Sequence, residues 1–446
     1  MLLSAPGVSL SFVARNARSL AREPEPPAAV AETTAELVKS ITLPQAVALY
    51  AGAVVGAGVL ILPGVAASKA GPGSLIAWGF DGALGIPLAL TFATLAARYP
   101  DAGGVAVYAS RAFSDAAGAV VGWFYFFAAS VAQALVVLTG AHYAADALHR
   151  GKDTTFLVAG AILALAVVAN LRGLRVSGRL QLVLAAGVAL VLLAATLAAL
   201  PHLHLANLTP LVPKGWGAVG RTTVLLFFAF FGWEAITHLS SEFRDPERDV
   251  PRATLISVFL VTFLYLGVAF AVVATHTYGS TTLDRVAVAR VLSDSIGLHA
   301  GAVAAAAAVV ITLGTDNAFV AATSRLGYAL ARDGALPRPL ARLTADGVPA
   351  ISIFTVAAIA FVGLVLAYLR DWGAEAFLVV PNSLVIVVYV IAMAAAVRLL
   401  TGRGRLLALA GLVPSLVILP FAGVSLVIPA AVTAGALGYR FLRLRR

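Results

Sequence analysis

The sequence predicts an all-α polytopic membrane protein with about 12 transmembrane helices. Of its 446 residues, 61% are hydrophobic and only 12% are charged, and its mean hydropathy is +0.95. Soluble globular chains are about 25% charged and about 45–50% apolar. A spanning helix needs about 20 mostly apolar residues, and Pro, Gly and charge clusters separate twelve such segments. The segments begin near Thr42, Ser74, Ala117, Thr155, Gly178, Thr222, Arg252, His299, Ala350, Ala374, Leu406 and Gly423.

The net charge of +10 does not indicate a nucleic-acid-binding domain, because the basic residues lie in short clusters between apolar segments. Lys and Arg accumulate in cytoplasmic loops, and most of the 31 basic residues fall on one side if the N-terminus is cytoplasmic. We therefore expect a multi-pass protein of the inner (plasma) membrane with both termini cytoplasmic. Residues 1–41, with their Glu-Pro-Glu-Pro-Pro run, are predicted to be a disordered cytoplasmic tail.

Two spans contain helix-breaking residues. The first, "AGAVVGAGVLILPGVAASKAGP" at 51–72, holds several glycines and Pro63, and the sixth, "RTTVLLFFAFFGWEAITHLSSEF", holds Gly232 in its middle. Irregular backbone at membrane depth is tolerated where it lines a cavity, and paired interruptions are typical of inverted-repeat transporters. Because the two breaks lie five helices apart, we predict a five-plus-five inverted repeat over residues 42–400. Residues 401–446 would form two C-terminal helices and a short basic tail.

Four stretches resemble the motifs of a known family. These are "GAVVGAGVLILPGVAASKAGP", "YPDAGGVAVYASRAF", "FFAFFGWEAITHLSSEFRDPERDVPRA" and "SRLGYALARDGALPRPLARLTADGVPA", which are similar, in this order, to those of the amino acid–polyamine–organocation transporters. The block at the sixth span looks most like the bacterial exporters of methionine and branched-chain amino acids. The resemblance implies secondary active transport of methionine, leucine, isoleucine and valine by alternating access, with export by proton antiport.

The first break is the candidate site for the substrate carboxylate. The start of a half-helix offers N–H donors and a positive dipole end without any basic side chain. By resemblance, Val55, Gly56, Ala57 and Gly58 form the unwound segment that donates these N–H groups. Ala57 stands where the family often has a hydroxyl residue, so one side-chain contact is missing. Helix packing through Gly52 and Gly56 is the structural alternative.

The second break is the candidate site for the substrate ammonium group, since an opened turn exposes carbonyl oxygens at the negative end of a half-helix. The residues expected around it are Phe228, Ala229, Phe231 and Gly232. By resemblance, Phe228 is an aromatic gate on the sixth span and Phe319 is one on the eighth. Asn382, beside Pro381 in the tenth span, is expected either to contact the pocket or to satisfy the proline kink.

Acidic residues within spans are the candidates for ion coupling, because a carboxylate in a bilayer is costly and normally faces a cavity or a partner. Glu234 follows the second break, and His238 lies one turn later on the same face. Glu234 could instead hold the broken helix together by accepting backbone N–H groups. Asp81 and Asp316, where the exporters are expected to be apolar, are expected to couple, to attract a cationic substrate group, or to pair and hydrogen-bond locally as structure.

The sequence does not identify the coupling ion. The fifth span lacks the Lys that some relatives place at a sodium position, and Thr323 and Ser324 could ligate sodium or bond their own backbone. We expect a proton gradient as the drive, with sodium not excluded, and no cofactor or metal site.

The expected partners are a small-molecule amino acid and membrane lipid, but no nucleic acid, with the protein a monomer or homodimer. The alternatives are an importer of the same fold, by proton or sodium symport, and a non-transporting amino acid sensor. The sequence shows no enzymatic nucleophile–base pair.

Overall fold

The computed structural model describes residues 43–99, 104–173, 178–235 and 246–444, and every regular element within these ranges is helical. Twelve spans follow one another, as the sequence predicts. Ten are continuous: Ser74–Arg98 (span 2), Asp115–Ala147 (span 3), Lys152–Leu171 (span 4), Gly178–Ala199 (span 5), Pro246–Ala274 (span 7), Leu298–Arg332 (span 8), Ala350–Arg370 (span 9), Val379–Leu399 (span 10), Gly402–Ile418 (span 11) and Val427–Leu444 (span 12).

Spans 1 and 6 are interrupted. Span 1 consists of Leu43–Val54, the 3-10 turn Ala57–Leu60 and Leu62–Ala70, and span 6 consists of Gly215–Leu226 followed by the 3-10 turns Phe227–Phe230 and Trp233–Ala235. The sequence-predicted start of span 6 at Thr222 is wrong by seven residues. The helix begins before Arg221 and runs through it, and the side chain of Arg221 is exposed.

Nine stretches of the described residues are long and apolar enough to cross a membrane. Two of them hold more than one span: Leu62–Arg98 joins the second part of span 1 to span 2, and Gly402–Arg443 joins spans 11 and 12. The first part of span 6 is a shorter apolar helix, because the break divides this span. The nine stretches contain ten complete spans, and the broken spans 1 and 6 bring the total to twelve.

Contacts between the loops define two ends of the bundle. At the end that contains Leu43, which we call the near end, Tyr439 Oη donates to the carbonyl oxygen of Leu336 at 3.0 Å. At the opposite end, the far end, Arg285 forms two hydrogen bonds with the Glu375 carboxylate, of 2.7 and 3.1 Å. These contacts tie span 12 to the loop after span 8, and the loop after span 7 to the start of span 10.

Span 1 is covered at the far end by the helix Thr281–Ile296, which we call the linker helix because it joins spans 7 and 8. The side chain of Ser280 caps it by accepting from the N–H of Leu283 at 3.3 Å. It packs closely on the second part of span 1, since a Cβ built at Gly64 would lie 2.2 Å from the carbonyl oxygen of Asp284. This contact leaves no space between the linker helix and span 1.

Candidate functional site

The break in span 1 is centred on Gly56. Its backbone is extended, with φ −105° and ψ 175°, and no side-chain cap hydrogen bond is found there among the described residues. The N–H groups that open a helical turn have no partner within it, so those at Ala57 and Gly58 begin a new turn uncapped. A Cβ built at Gly56 would meet nothing within 4 Å. The backbone of the break therefore faces open space.

The break in span 6 is centred on Gly232, whose φ of 123° lies in the region that favours glycine. Its N–H donates to Glu234 Oε2 and to Tyr389 Oη, each at 3.2 Å. Tyr389 Oη donates in turn to Glu234 Oε2 at 2.5 Å. Glu234 therefore accepts a backbone N–H at the break and is tied to span 10 by Tyr389.

Hydroxyl groups from other spans bond to carbonyl oxygens beside both breaks. An unpaired backbone group at membrane depth costs several kcal/mol, so these donors stabilise the interruptions. They are Tyr265 of span 7 to Val54 (3.2 Å), Tyr143 of span 3 to Leu60 (2.7 Å) and Tyr50 of span 1 to Trp233 (2.7 Å).

A cavity of about 230 Å³ lies between the two breaks. Most of its wall is backbone and apolar side chain, and its polar side chains are those of Glu234, Thr315 and Tyr265. Among the described residues, no Lys, Arg or His side chain lines it. The lining residues are Val54, Gly56, Ala57, Gly58, Val59, Val136, Phe228, Ala229, Phe231, Gly232, Glu234, Tyr265, Thr315 and Phe319.

Most of the sequence-predicted site residues meet at this cavity. Those that line it are Gly56, Ala57, Gly58, Phe228, Ala229, Phe231, Gly232, Phe319 and Glu234. The two breaks approach each other across it, since a Cβ built at Gly58 would lie 3.6 Å from Cε1 of Phe228. Val55 is buried between two lining residues and does not itself line the cavity.

The sequence reasoning missed several lining residues, among them Val136, Tyr265 and Thr315. Thr315 could have been found, because it lies one helical turn before the predicted Phe319. Val136 and Tyr265 carry no such signal in their spans.

Asn382 of span 10 is not found at this cavity. It lines a different cavity behind span 6 and donates to the carbonyl oxygen of Leu225 at 2.9 Å. His238 lies outside the described residues.

Asp81 lies behind the break in span 6 and does not line the cavity. It is 2% exposed, one turn from Trp78, whose ring centroid lies 5.9 Å from that of Phe230. One turn in the other direction, a Cβ built at Gly85 would lie 3.3 Å from Nε1 of Trp233. Among the described residues, neither carboxylate oxygen of Asp81 has a hydrogen-bond partner.

Asp316 is fully buried on span 8, next to the lining residue Thr315. Span 3 packs against span 8 here, since a Cβ built at Gly140 would lie 2.7 Å from Oγ1 of Thr312, one turn before Asp316. The local hydrogen bonds that the sequence offered as an alternative are not found in the described part of the chain. Asn317 bonds instead to Asn170 of span 4, at 2.6 Å between the two amides.

The possible ion ligands on span 8 are buried, and Ser324 Oγ donates to the carbonyl oxygen of Ala321 at 3.2 Å. Ser324 thus bonds its own backbone, the commoner use of such a residue. Within the described ranges, no cluster of three or more His, Cys, Asp or Glu residues has the arrangement of a metal site.

A helical bundle in which two interrupted spans enclose a small cavity at their breaks has the architecture of a secondary transporter. The chain belongs to the amino acid permease family, whose sequence profile matches residues 41–437. It is 36% identical over 412 residues (92% of this chain, 96% of the relative) to the uncharacterized amino acid permease YecA of Bacillus subtilis (strain 168).

Two further relatives carry substrate names. The chain is 29% identical over 379 residues to the L-methionine/branched-chain amino acid exporter YjeH of Escherichia coli (strain K12). The aligned region covers 84% of this chain and 90% of that protein. It is 25% identical over 363 residues to the gamma-aminobutyric acid permease of the same organism, and the aligned region covers 78% of this chain and 77% of that permease. The matches confirm the sequence-based family and the all-helical, multi-pass fold. The chain is an amino acid transporter.

Proposed function

We propose that the chain exports neutral amino acids, with methionine, leucine, isoleucine and valine as substrates, in exchange for protons. The observation that carries this proposal is the lining of the central cavity. At about 230 Å³ it is smaller than the cavities of about 300–1,000 Å³ that hold drug-sized ligands. It presents backbone at both breaks and apolar side chains between them, which suits a small zwitterion with an aliphatic side chain.

Each end of the cavity suits one charged group of an amino acid. At span 1, the uncapped N–H groups of Ala57 and Gly58 are the donors for the carboxylate. At span 6, the carbonyl oxygens around Ala229 and the Glu234 carboxylate are the acceptors for the ammonium group. The remaining wall has no further charged side chain among the described residues. A cationic or anionic substrate side chain would therefore be buried unpaired, at a high cost in free energy.

The position of Glu234 supports the proposal of proton antiport. Its carboxylate lines the cavity, where it can hold either a substrate ammonium group or a proton. Because the two cations compete for one carboxylate, binding of one favours release of the other, which is the requirement for exchange. Asp316 and Asp81, both outside the cavity, are proposed as secondary coupling sites. A coupling role of His238 stays a prediction.

Alternating access is proposed to occur within residues 42–400, with spans 1 and 6 moving against the surrounding spans and residues 401–446 appended. We place both termini in the cytoplasm and the protein in the inner membrane, so that the far end faces outward. The linker helix then closes the outer side over Gly64. Export rests on the likeness to YjeH, and an importer of the same fold would use the same cavity.

Counterflow tests this proposal. The purified protein is reconstituted into vesicles loaded with unlabelled leucine, and labelled leucine, lysine or glutamate is offered outside. We expect leucine to accumulate transiently, lysine and glutamate not to, and an inward-directed proton gradient to accelerate leucine efflux. Binding of leucine without counterflow above that of empty vesicles would show that the chain does not transport it. Leucine efflux at the same rate with and without the pH gradient would exclude proton antiport.

A further inference from the structure

A second cavity of about 520 Å³ lies at the far end, behind span 6. Its walls are the second part of span 1, the first part of span 6, the start of span 10 and the turn Leu419–Leu426 between spans 11 and 12. It shares no lining residue with the central cavity and has more than twice its volume. A single amino acid that fits the central cavity would leave most of this one unfilled.

The charged groups at this cavity leave an excess of positive charge. Lys69 and Arg221 line it, and neither has an ion-pair partner within the described part of the chain. Lys214 lies close to Lys69, since it donates to the carbonyl oxygen of the residue before Lys69 at 2.5 Å. The one acid in the lining, Glu375, is already held by two hydrogen bonds from Arg285. The cavity therefore attracts an anion.

Two buried polar groups add hydrogen-bonding capacity at the inner wall. Asn382 is 3% exposed and Thr222 is 1% exposed, and both line the cavity. Among the described residues, neither Asn382 Oδ1 nor Thr222 Oγ1 has a hydrogen-bond partner. Buried polar atoms are nearly always paired. Their position suits a ligand that carries hydroxyl groups beside its anionic group.

The outer wall of the cavity faces the lipid. Span 11 has 17 residues and is about 26 Å long, which is shorter than the hydrocarbon core of about 30 Å. The turn Leu419–Leu426 has no charged residue, and Val424 within it is 88% exposed. A turn of this composition at the end of a short span lies at the boundary of the apolar layer. Acyl chains can therefore reach the cavity alongside Phe421 and Val424.

We propose that this cavity binds the headgroup of an anionic phospholipid. Lys69 and Arg221 pair with the phosphate, Asn382 and Thr222 bond the headgroup hydroxyls, and an acyl chain packs on the turn Leu419–Leu426. Cationic side chains between membrane helices are a recognised basis for selecting anionic lipids. Because Asn382 also donates to the carbonyl oxygen just before the break in span 6, the lipid would contact the residue that supports that break.

The test uses purified full-length protein in neutral detergent, with phosphatidylglycerol, phosphatidylcholine and soluble glycerol 3-phosphate as probes. Native mass spectrometry counts bound lipid, and the unfolding temperature reports stabilisation. We expect phosphatidylglycerol to bind and stabilise more than phosphatidylcholine. The double variant Lys69→Gln/Arg221→Gln should bind it at least about tenfold more weakly, because each charge-assisted bond that is lost weakens binding by about tenfold or more. Arg370→Gln, at the far end but outside the cavity, is the matched control.

A second variant fills the cavity without removing charge. Ala422→Trp lies on the turn and should displace phosphatidylglycerol while leaving binding of labelled leucine to the central cavity unchanged. Equal lipid binding by the double variant and by Arg370→Gln would overturn the proposal. So would equal stabilisation by glycerol 3-phosphate, which would make the ligand a soluble anion, or a second leucine equivalent lost only in the double variant, which would make it an amino acid.

Discussion

The contact between Tyr389 and Glu234 offers the sharpest test of the central site. Tyr389→Phe removes one hydroxyl, which donates to Glu234 at 2.5 Å and accepts from the N–H of Gly232 at 3.2 Å. The ring stays packed on Phe227, with centroids 5.4 Å apart, and the N–H of Gly232 keeps its bond to Glu234. The net loss is one hydrogen bond to a charged group, or about 1.5–3 kcal/mol.

We expect this loss to appear in substrate affinity, because the Glu234 carboxylate lines the cavity. The same bond exists without substrate, so its loss sets an upper bound of about 10- to 150-fold on the weakening of leucine binding, measured as equilibrium binding of labelled leucine to the purified protein. The control is Tyr439→Phe, which removes a hydroxyl bond to a backbone carbonyl at the near end, away from the cavity. Equal affinity of the two variants would refute the reasoning that Tyr389 positions Glu234 for the substrate.

Three further substitutions have expected outcomes. Glu234→Gln keeps the shape of the side chain but neither exchanges a proton nor offers a charge to the ammonium group, so leucine counterflow should continue at reduced affinity while its acceleration by a pH gradient disappears. Asp316→Asn should keep or raise the unfolding temperature, because an amide costs less to bury than an unpaired carboxylate. Gly64→Val should lower the free energy of unfolding by about 1–3 kcal/mol, since its Cβ would lie 2.2 Å from the carbonyl oxygen of Asp284.

Each of these substitutions has a comparison that can contradict it. Asp371→Asn, at an exposed acid outside the central cavity, is the transport control for Glu234→Gln, and a pH response lost in both would mean that Glu234 is not the principal coupling group. A lower unfolding temperature of Asp316→Asn would mean that its carboxylate makes stabilising contacts. Gly79→Val is the control for Gly64→Val, because a Cβ built at Gly79 meets nothing within 4 Å. Equal stability of the two would contradict close packing of the linker helix on span 1.

The two breaks could be predicted from sequence because their cause is local. Gly232 adopts a φ of 123°, which favours glycine. Gly56 has an extended backbone that any residue can adopt, and the absence of a Cβ leaves open space beside the break. The positions of the breaks followed from these glycines, whereas a gating role of Phe228 is implied by the family resemblance and stays a prediction. Local sequence does not show which distant groups satisfy the freed backbone, so the roles of Tyr265 and Tyr389 were not predicted.

Asn382 shows why the position of a polar residue within a span is a weaker guide. In a soluble helix, hydrophobic periodicity shows which face is buried. In a membrane both the lipid and the protein core are apolar, and span 10 is apolar on all sides. Asn382 was expected either to contact the central pocket or to satisfy the kink at Pro381. The rotation of span 10, which no local pattern specifies, turns Asn382 toward the cavity behind span 6.

The tyrosine bonds beside the breaks fall into two classes with different consequences for transport. Tyr50 joins span 1 to Trp233 of span 6, so this bond survives if the two broken spans move together. Tyr143 and Tyr265 reach the carbonyl oxygens of span 1 from spans 3 and 7, so these bonds must break if span 1 moves against either. The carbonyl oxygen of Val54 also accepts from the N–H of Gly56 at 3.0 Å, so it stays paired when the bond from Tyr265 breaks. Because a carbonyl left unpaired at membrane depth costs several kcal/mol, Tyr143 resists the proposed motion more than Tyr265 does. Loss of the Tyr143 hydroxyl should therefore change the rate of exchange more than the affinity for substrate, whereas loss of Tyr50 should weaken the paired breaks themselves.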